Sequence, residues 1–330
     1  MILLTGATGY LGSGIARELI LRHEPFRVLV RDARRLGFNP TASRCDVVQS
    51  DLRDLATLQT ALKGVDAVIH TAALVKMWVR DRRDFFRTNV EALQNLLKTA
   101  DGAGVRRVVY TSSFMALGPS ANALADERLS HAGPFSDAYE ESKALALAWL
   151  RREGMQRYPV IVMLPGVIYG PGPKTEGNLV GGMIDQYLAR KFPGLLGSGE
   201  QRWSFAFLPD VVNAHLAAIE KGKLGEEYVL GGDNRSLNEF FRILSDLTHV
   251  RRPVRHLPFA LGKFAGIMEV ARARAFGHIP QLTPGVVEIF KHDWVYSSAK
   301  AMCDLGYGMT TLEEGLAITL RDTDRTARDA

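Results

Sequence analysis

Three places in this chain set a tyrosine four residues ahead of a lysine: Tyr139/Lys143, Tyr187/Lys191 and Tyr296/Lys300. On a helix such a pair shares one face. The chemistry it could do is proton transfer to or from a carbonyl oxygen, the phenol acting as acid or base and the ammonium making it acidic near neutral pH. A cation ~4 Å away at an effective dielectric of ~20 is worth ~4 kcal/mol, roughly three pKa units off a phenol that starts near ~10. The spacing alone is cheap, because nine tyrosines and eleven lysines in 330 residues give about 0.3 such pairs by chance. Context selects Tyr139. The apolar run 107–111 ends in Ser112-Ser113, and Tyr139 opens the helical stretch that leads to the next apolar run at Val160. That path returns the phenol to the carboxyl edge of a sheet, where open α/β folds bind their ligands. Tyr187 and Tyr296 follow no such strand and are expected to be surface or packing residues.

A second cluster, Thr5-Gly6-Ala7-Thr8-Gly9-Tyr10-Leu11-Gly12, follows a short apolar run and opens a helical stretch. Glycines three apart allow a tight turn, a bare backbone for a pyrophosphate and close helix–strand packing. The helix start offers free N–H groups and a positive dipole end. Gly6, Thr8, Gly9, Tyr10, Leu11 and Gly12 are therefore expected to hold a dinucleotide. Arg31 is the first residue beyond the second strand and favours NADP(H) through bidentate contact with a 2′-phosphate. Asp32, one position later, keeps NAD(H) open. Asp51-Leu52, at the end of the third strand, could hold the adenine amino group and pack its face. A helix N-cap before Leu55 is the competing role for Asp51.

These groups need a scaffold to position them. Apolar runs at 2–5, 27–30, 47–49, 67–70, 107–111 and 160–164 alternate with helical stretches at 12–22, 55–62, 84–100 and 137–157. This predicts an α/β fold, a doubly wound parallel Rossmann sheet with a smaller, mostly helical C-terminal substrate lobe. Residues 1–165 form the dinucleotide-binding domain, to which the chain returns at about 205–232 with a helix at 210–220 and a strand at 227–230. Residues 166–204 and 233–330 form the lobe. Residues 166–177, rich in glycine and proline, read as loop.

Composition narrows the function classes. Hydrophobic residues make up 46% and charged residues 23%, which argues against disorder. A net charge of +5 without a basic run gives no reason to expect nucleic acid. Two cysteines, Cys45 and Cys303, make neither a disulfide framework nor a zinc cluster, and no histidine spacing suggests a metal. No apolar run approaches the ~20 residues that span a bilayer. A strand at the very start leaves no room for a signal peptide, so a cytoplasmic protein is expected.

Further motifs carry a resemblance. With the glycine loop, Asp51-Leu52 and Tyr139-Glu140-Glu141-Ser142-Lys143, the chain has His70-Thr71-Ala72-Ala73, Asn89-Val90 and Thr111-Ser112-Ser113. It also has Leu164-Pro165-Gly166-Val167-Ile168-Tyr169-Gly170-Pro171 and Leu208-Pro209-Asp210-Val211-Val212. It resembles, nearly end to end, the extended short-chain dehydrogenases/reductases of the NAD-dependent epimerase/dehydratase superfamily. The resemblance implies Tyr139 as acid/base, with Lys143 lowering its pKa and holding the nicotinamide ribose. Ser113 would bond the substrate oxygen, and Asn89 would order the strand edge or a relay water. Thr71, Ala72, Ala73 and Thr111 would line the cofactor, and Pro165 to Val167 would meet its carboxamide. A homodimer through the helices carrying Asn89 and Tyr139 is implied too.

Two activities compete within that resemblance. One is carbonyl reduction or alcohol oxidation, as in the dihydroflavonol reductase-like and 3β-hydroxysteroid dehydrogenase-like branch. The other is sugar or nucleotide-sugar epimerisation or dehydration, and the 65–95 stretch also resembles hopanoid-associated sugar epimerase homologues. A non-catalytic dinucleotide sensor would be expected to lose Tyr139 or Lys143. The sugar-nucleotide branch typically supplies an Asn where this chain has Val167 and an Arg where it has Trp203, with Arg202 adjacent. The expectation is therefore a small hydrophobic carbonyl or alcohol substrate. Trp203, Phe205, Phe207, Phe259, Phe264, Met268 and Phe276 are candidates for an apolar pocket wall, or for core. Residues 259–276 read as an amphipathic lid, with membrane-surface association as the second reading.

Overall fold

The computed structural model describes residues 1–121, 123–175, 177–252 and 255–328, with side chains to residue 322. Short runs of β-branched and leucine residues make the strands β1 (Ile2–Thr5), β2 (Phe26–Val30), β3 (Cys45–Gln49), β4 (Ala67–His70), β5 (Arg107–Thr111) and β6 (Val160–Pro165). Later in the chain come β7 (Val167–Tyr169), β8 (Leu195–Leu196), β9 (Arg202–Phe207), β10 (Glu227–Leu230), β11 (Asp233–Ser236) and β12 (His256–Leu257), of which β10 returns to the main sheet. One parallel sheet of seven strands runs in the order β10-β6-β5-β4-β1-β2-β3.

Strand alternation divides the core in two. Leu3, Val68 and Val108 face one layer, and Leu4, Ile69 and Val109 the other. Helix α1 (Tyr10–Leu21) covers the second face. The first is covered by α2 (Leu55–Ala61), then α3 (Arg83–Phe86) continued through a π-turn at Arg87–Glu91 into α4 (Ala92–Gly102), then α5 (Ala138–Trp149). A second π-turn, Leu150–Gly154, leads into the single turn α6 (Met155–Arg157). Beyond the sheet come α7 (Leu179–Leu188), α8 (Leu208–Lys221), which returns to the face of α1, and α9 (Leu237–Thr248). The helices α10 (Phe259–Phe276) and α11 (Pro284–Ile289) follow. Strands buried on both faces read as near-continuous apolar runs, which is why the sheet was plain in the sequence.

Three expectations need correction. Residues 166–177 are not all loop, because Val167–Tyr169 is a strand, paired parallel with β9 in a small sheet ordered β11-β9-β7. Three residues between Gly166 and Gly170 are too few to show a period. The apolar wall does not assemble, and for Trp203, Phe205 and Phe207 the alternative role in the core holds: all three are buried, Phe205 stacked on Phe240 at 5.2 Å and Trp203 against Phe290 at 4.6 Å. Phe264, Met268 and Phe276 face solvent instead. Finally, α10 has the expected bounds without the expected polarity, since its buried positions are Gly262, Gly266 and Ala273.

Candidate active site

The parallel register brings the ends of β1, β4, β5 and β6 level, so the residues just beyond them share one edge. At β1 the backbone turns through Gly6, whose φ is +81°, and Gly9 N–H closes the turn on Gly6 O at 2.9 Å. A Cβ on Gly6 would lie 2.7 Å from Ala72 N, and one on Gly12 would fall on the Gly6 carbonyl. Helix α1 then starts at Tyr10 with Gly9 as its cap, a residue with no side chain to accept from the first N–H groups. Thr8 stands half-buried beside this start, and Leu11 is buried. The Tyr10 hydroxyl donates to Gly170 O at 2.7 Å, tying the turn to the segment after β7. Thr71 donates from its hydroxyl to Thr5 O at 2.8 Å, and Ala72 N–H to Thr5 Oγ1 at 3.3 Å. Ala72 and Ala73 remain partly open beside the turn.

At β5, Ser113 caps a short 3-10 turn, its Oγ accepting from Met115 N–H at 3.2 Å. Helix α5 begins under an Asp137 cap, whose carboxylate accepts from Glu140 N–H at 2.8 Å, and so places Tyr139 in its first turn. Burial pushes the Tyr139 phenol up to about 12, hydrogen bonding with Ser113 opposes this, and the Asp137 charge adds to it. Lys143, one turn on, is buried. It donates to Thr111 O at 3.0 Å and to the Tyr110 hydroxyl at 3.4 Å. Burial brings it down to about 7. In the protein alone, burial is the first cause of both shifts and drives each group toward its neutral form.

A stack that the spacing of motifs did not reveal lies beneath Lys143. The Tyr110 ring packs on His70 at 5.7 Å, and His70 Nδ1 is 2.7 Å from Thr5 Oγ1. Burial, with Lys143 nearby, lowers His70 to about 3, so it stays neutral. The signal was the strand register, which sets His70 directly opposite Tyr110. Thr111 takes part through its carbonyl, while its hydroxyl is engaged by His215 Nε2 at 2.9 Å rather than turned to a cofactor.

Asn89 sits in the π-turn, which swings its amide inward to burial. Its Oδ1 accepts from Leu74 N–H at 2.8 Å, and its Nδ2 donates to Leu74 O at 3.2 Å and to Ser142 Oγ at 2.9 Å. Ser142 donates in turn to Tyr139 O at 2.8 Å. Asn89 therefore fastens the segment after β4 to α5. Pro165 and Val167 bracket Gly166, where a Cβ would overlap the Ser204 carbonyl.

At the far end, Arg31 is exposed after β2. Asp32 folds back on Arg34, accepting from its Nε at 2.9 Å and its Nη2 at 3.0 Å. Asp51 pairs likewise with Arg53, at 2.9 and 2.8 Å, with Leu52 buried beside it. The cap of α2 is Asp54, not Asp51, so the competing role considered for Asp51 does not apply. Of the other two tyrosine–lysine pairs, Tyr187 donates to Val250 O and Tyr296 to Gly118 O. Both are buried packing residues.

The NAD dependent epimerase/dehydratase family model matches residues 2–231. Among curated proteins, a putative dihydroflavonol 4-reductase of Synechocystis is 30% identical, covering 95% of this chain and 92% of its own. Sterol demethylase protein B of Methylococcus capsulatus is 32% identical, covering 86% and 84%. Among solved structures, gox2253 aligns with a TM-score of 0.81 at 31% identity, covering 99% of each chain. The chain belongs to the NAD-dependent epimerase/dehydratase family. It is an extended short-chain dehydrogenase/reductase, and an NAD(P)-dependent enzyme. The family's cofactor fits the geometry: Gly6 and Gly12 leave no room for a side chain, and the Gly9 cap gives the first turn of α1 no side-chain acceptor, which suits an anion there.

Proposed function

We propose that this family member is an NADP(H)-preferring carbonyl reductase or alcohol dehydrogenase acting on a hydrophobic ketone or secondary alcohol. The nicotinamide, when bound, exchanges hydride with the carbonyl carbon. Tyr139 gives the oxygen its proton in reduction and takes it in oxidation. Ser113 donates to the same oxygen, and Lys143, held by Thr111 and Tyr110, reaches the ribose. Gly6 to Gly12 receive the pyrophosphate, and Asp51-Leu52 the adenine. Burial keeps the phenol protonated, so a proton is present to give, and the Ser113 hydrogen bond favours the phenolate left after transfer.

One observation favours reduction over the competing sugar-nucleotide chemistry. The diphosphate of a nucleotide sugar needs fixed cationic donors. Where that branch has its Arg, this chain has buried Trp203, and the neighbouring Arg202 binds Asp293 through its side chain at 3.2 Å and its N–H at 2.7 Å. The names of the relatives, a reductase and a sterol demethylase protein, point the same way. For the cofactor, Asp32 is occupied by Arg34, and Arg31, exposed just beyond β2, is the charge we assign to a 2′-phosphate. The test is NADPH oxidation across a panel of apolar ketones. Turnover that disappears in Tyr139→Phe supports the proposal. Isomerised or dehydrated nucleotide sugar, formed without net cofactor consumption, overturns it.

A further inference from the structure

We infer that α10 docks this protein on an anionic bilayer surface, lying in the plane of the headgroups. The helix is built inside out. Gly262, Gly266 and Ala273 face inward, while Leu261, Phe264, Ile267 and Met268 are 54, 63, 51 and 49% exposed. The arrangement is locked: a Cβ on Gly262 would lie 2.6 Å from Leu196, and one on Gly266 2.8 Å from the Thr283 carbonyl carbon. The helix backbone presses on β8 and on the start of α11, so it cannot rotate its large side chains inward.

Positions 264, 268, 271 and 275 repeat at helical spacing and form a continuous apolar stripe, Phe264-Met268-Ala271-Ala275. Isolated exposed apolar residues need no explanation, but a contiguous stripe does. At its end Phe276 and Ile279 are 80 and 66% exposed. Cations flank it. Lys263 and Arg274 share the side of Ile267, and Arg272 stands on the side of Leu261. The acidic group closest along the helix, Glu269, is shared by Arg272 at 3.3 Å and His278 at 3.6 Å. Eighteen residues make about 27 Å of helix. Among the described residues no helix is long and apolar enough to cross a membrane, which leaves the in-plane orientation.

Charge selects the occupant. Phosphate headgroups would meet the flanking cations while the stripe enters the acyl boundary. A second copy packed face to face would bring those cations against their own kind. The surface is close to the chemistry: α10 packs on α11, where a Cβ on Gly285 would lie 2.8 Å from Asp137 Cβ, the cap of the catalytic helix.

The experiment is flotation of the full chain with phosphatidylcholine vesicles, with and without ~30 mol % phosphatidylglycerol. The wild type is expected to float with the anionic vesicles and to be released by salt. Phe264→Asp/Met268→Asp should lose at least about tenfold in partitioning. Lys263→Gln/Arg274→Gln should lose several-fold on anionic vesicles alone. Both should keep the wild-type melting temperature and dinucleotide affinity. Failure of the wild type to float, equal flotation of the variants, or self-association through α10 without vesicle binding would each overturn the inference.

Discussion

Burial moves Tyr139 and Lys143 in opposite pH directions, and both shifts lead to measurements. Lys143 releases its proton near 7 in the folded protein and near 10.5 when unfolded. Between those values the unfolded chain binds the extra proton, so stability of the cofactor-free protein rises with pH across that window. Unfolding by urea from pH 7 to 10 should show the rise, and Lys143→Met should flatten it. Asp137 works the other way. Burial raises its carboxyl to about 6 against 3.8, so the folded state retains a proton the unfolded state has lost, and stability falls as pH climbs from about 4 to 6. Asp137→Asn keeps an acceptor for the Glu140 N–H and should remove that fall. Tyr139→Phe should lower kcat/KM by about 10²–10⁴ with little change in melting temperature, the usual share of a general acid. The tyrosine–lysine spacing and the Ser112-Ser113 edge made this pair legible in the sequence. The stack of Tyr110 on His70 was not legible, because it depends on the pairing of β4 with β5.

Two elements carry these residues, and each can be tested by a small change. Gly12→Ala puts a methyl group on the Gly6 carbonyl and should weaken dinucleotide binding at least about tenfold, read by titration of cofactor fluorescence. Asn89→Ala leaves the Leu74 N–H without its buried acceptor and unties Ser142. It should cost about 1–3 kcal/mol in denaturant unfolding. The strands and most helices could be read from apolar runs and their punctuation. The π-turn could not, since residues 84–100 show one unbroken helical pattern and only the inward turn of Asn89 reveals the extra residue. Strand β7 was hidden between glycines. The aromatic residues of β9 carried no sign of whether they lined a pocket or filled a core; pairing with β7 and β11 on both sides decided for the core.

At the scale of the whole molecule, the glycine turn, the Arg31 end and the Tyr139 helix lie along one sheet edge, so a dinucleotide stretched across it would reach all three. The Arg31→Ser variant should lose about 10–100-fold in NADPH affinity while NADH affinity stays near its wild-type value, measured by calorimetric titration. The central claim is net hydride transfer from nicotinamide to a hydrophobic carbonyl, and deuterium reports it directly. With NADPH deuterated at C4 of the nicotinamide and an apolar ketone as partner, mass spectrometry should find the label on the carbinol carbon of the alcohol, its transfer slowed by about 10²–10⁴ in Tyr139→Phe. Label retained on the cofactor while a nucleotide sugar is epimerised or dehydrated would contradict the account.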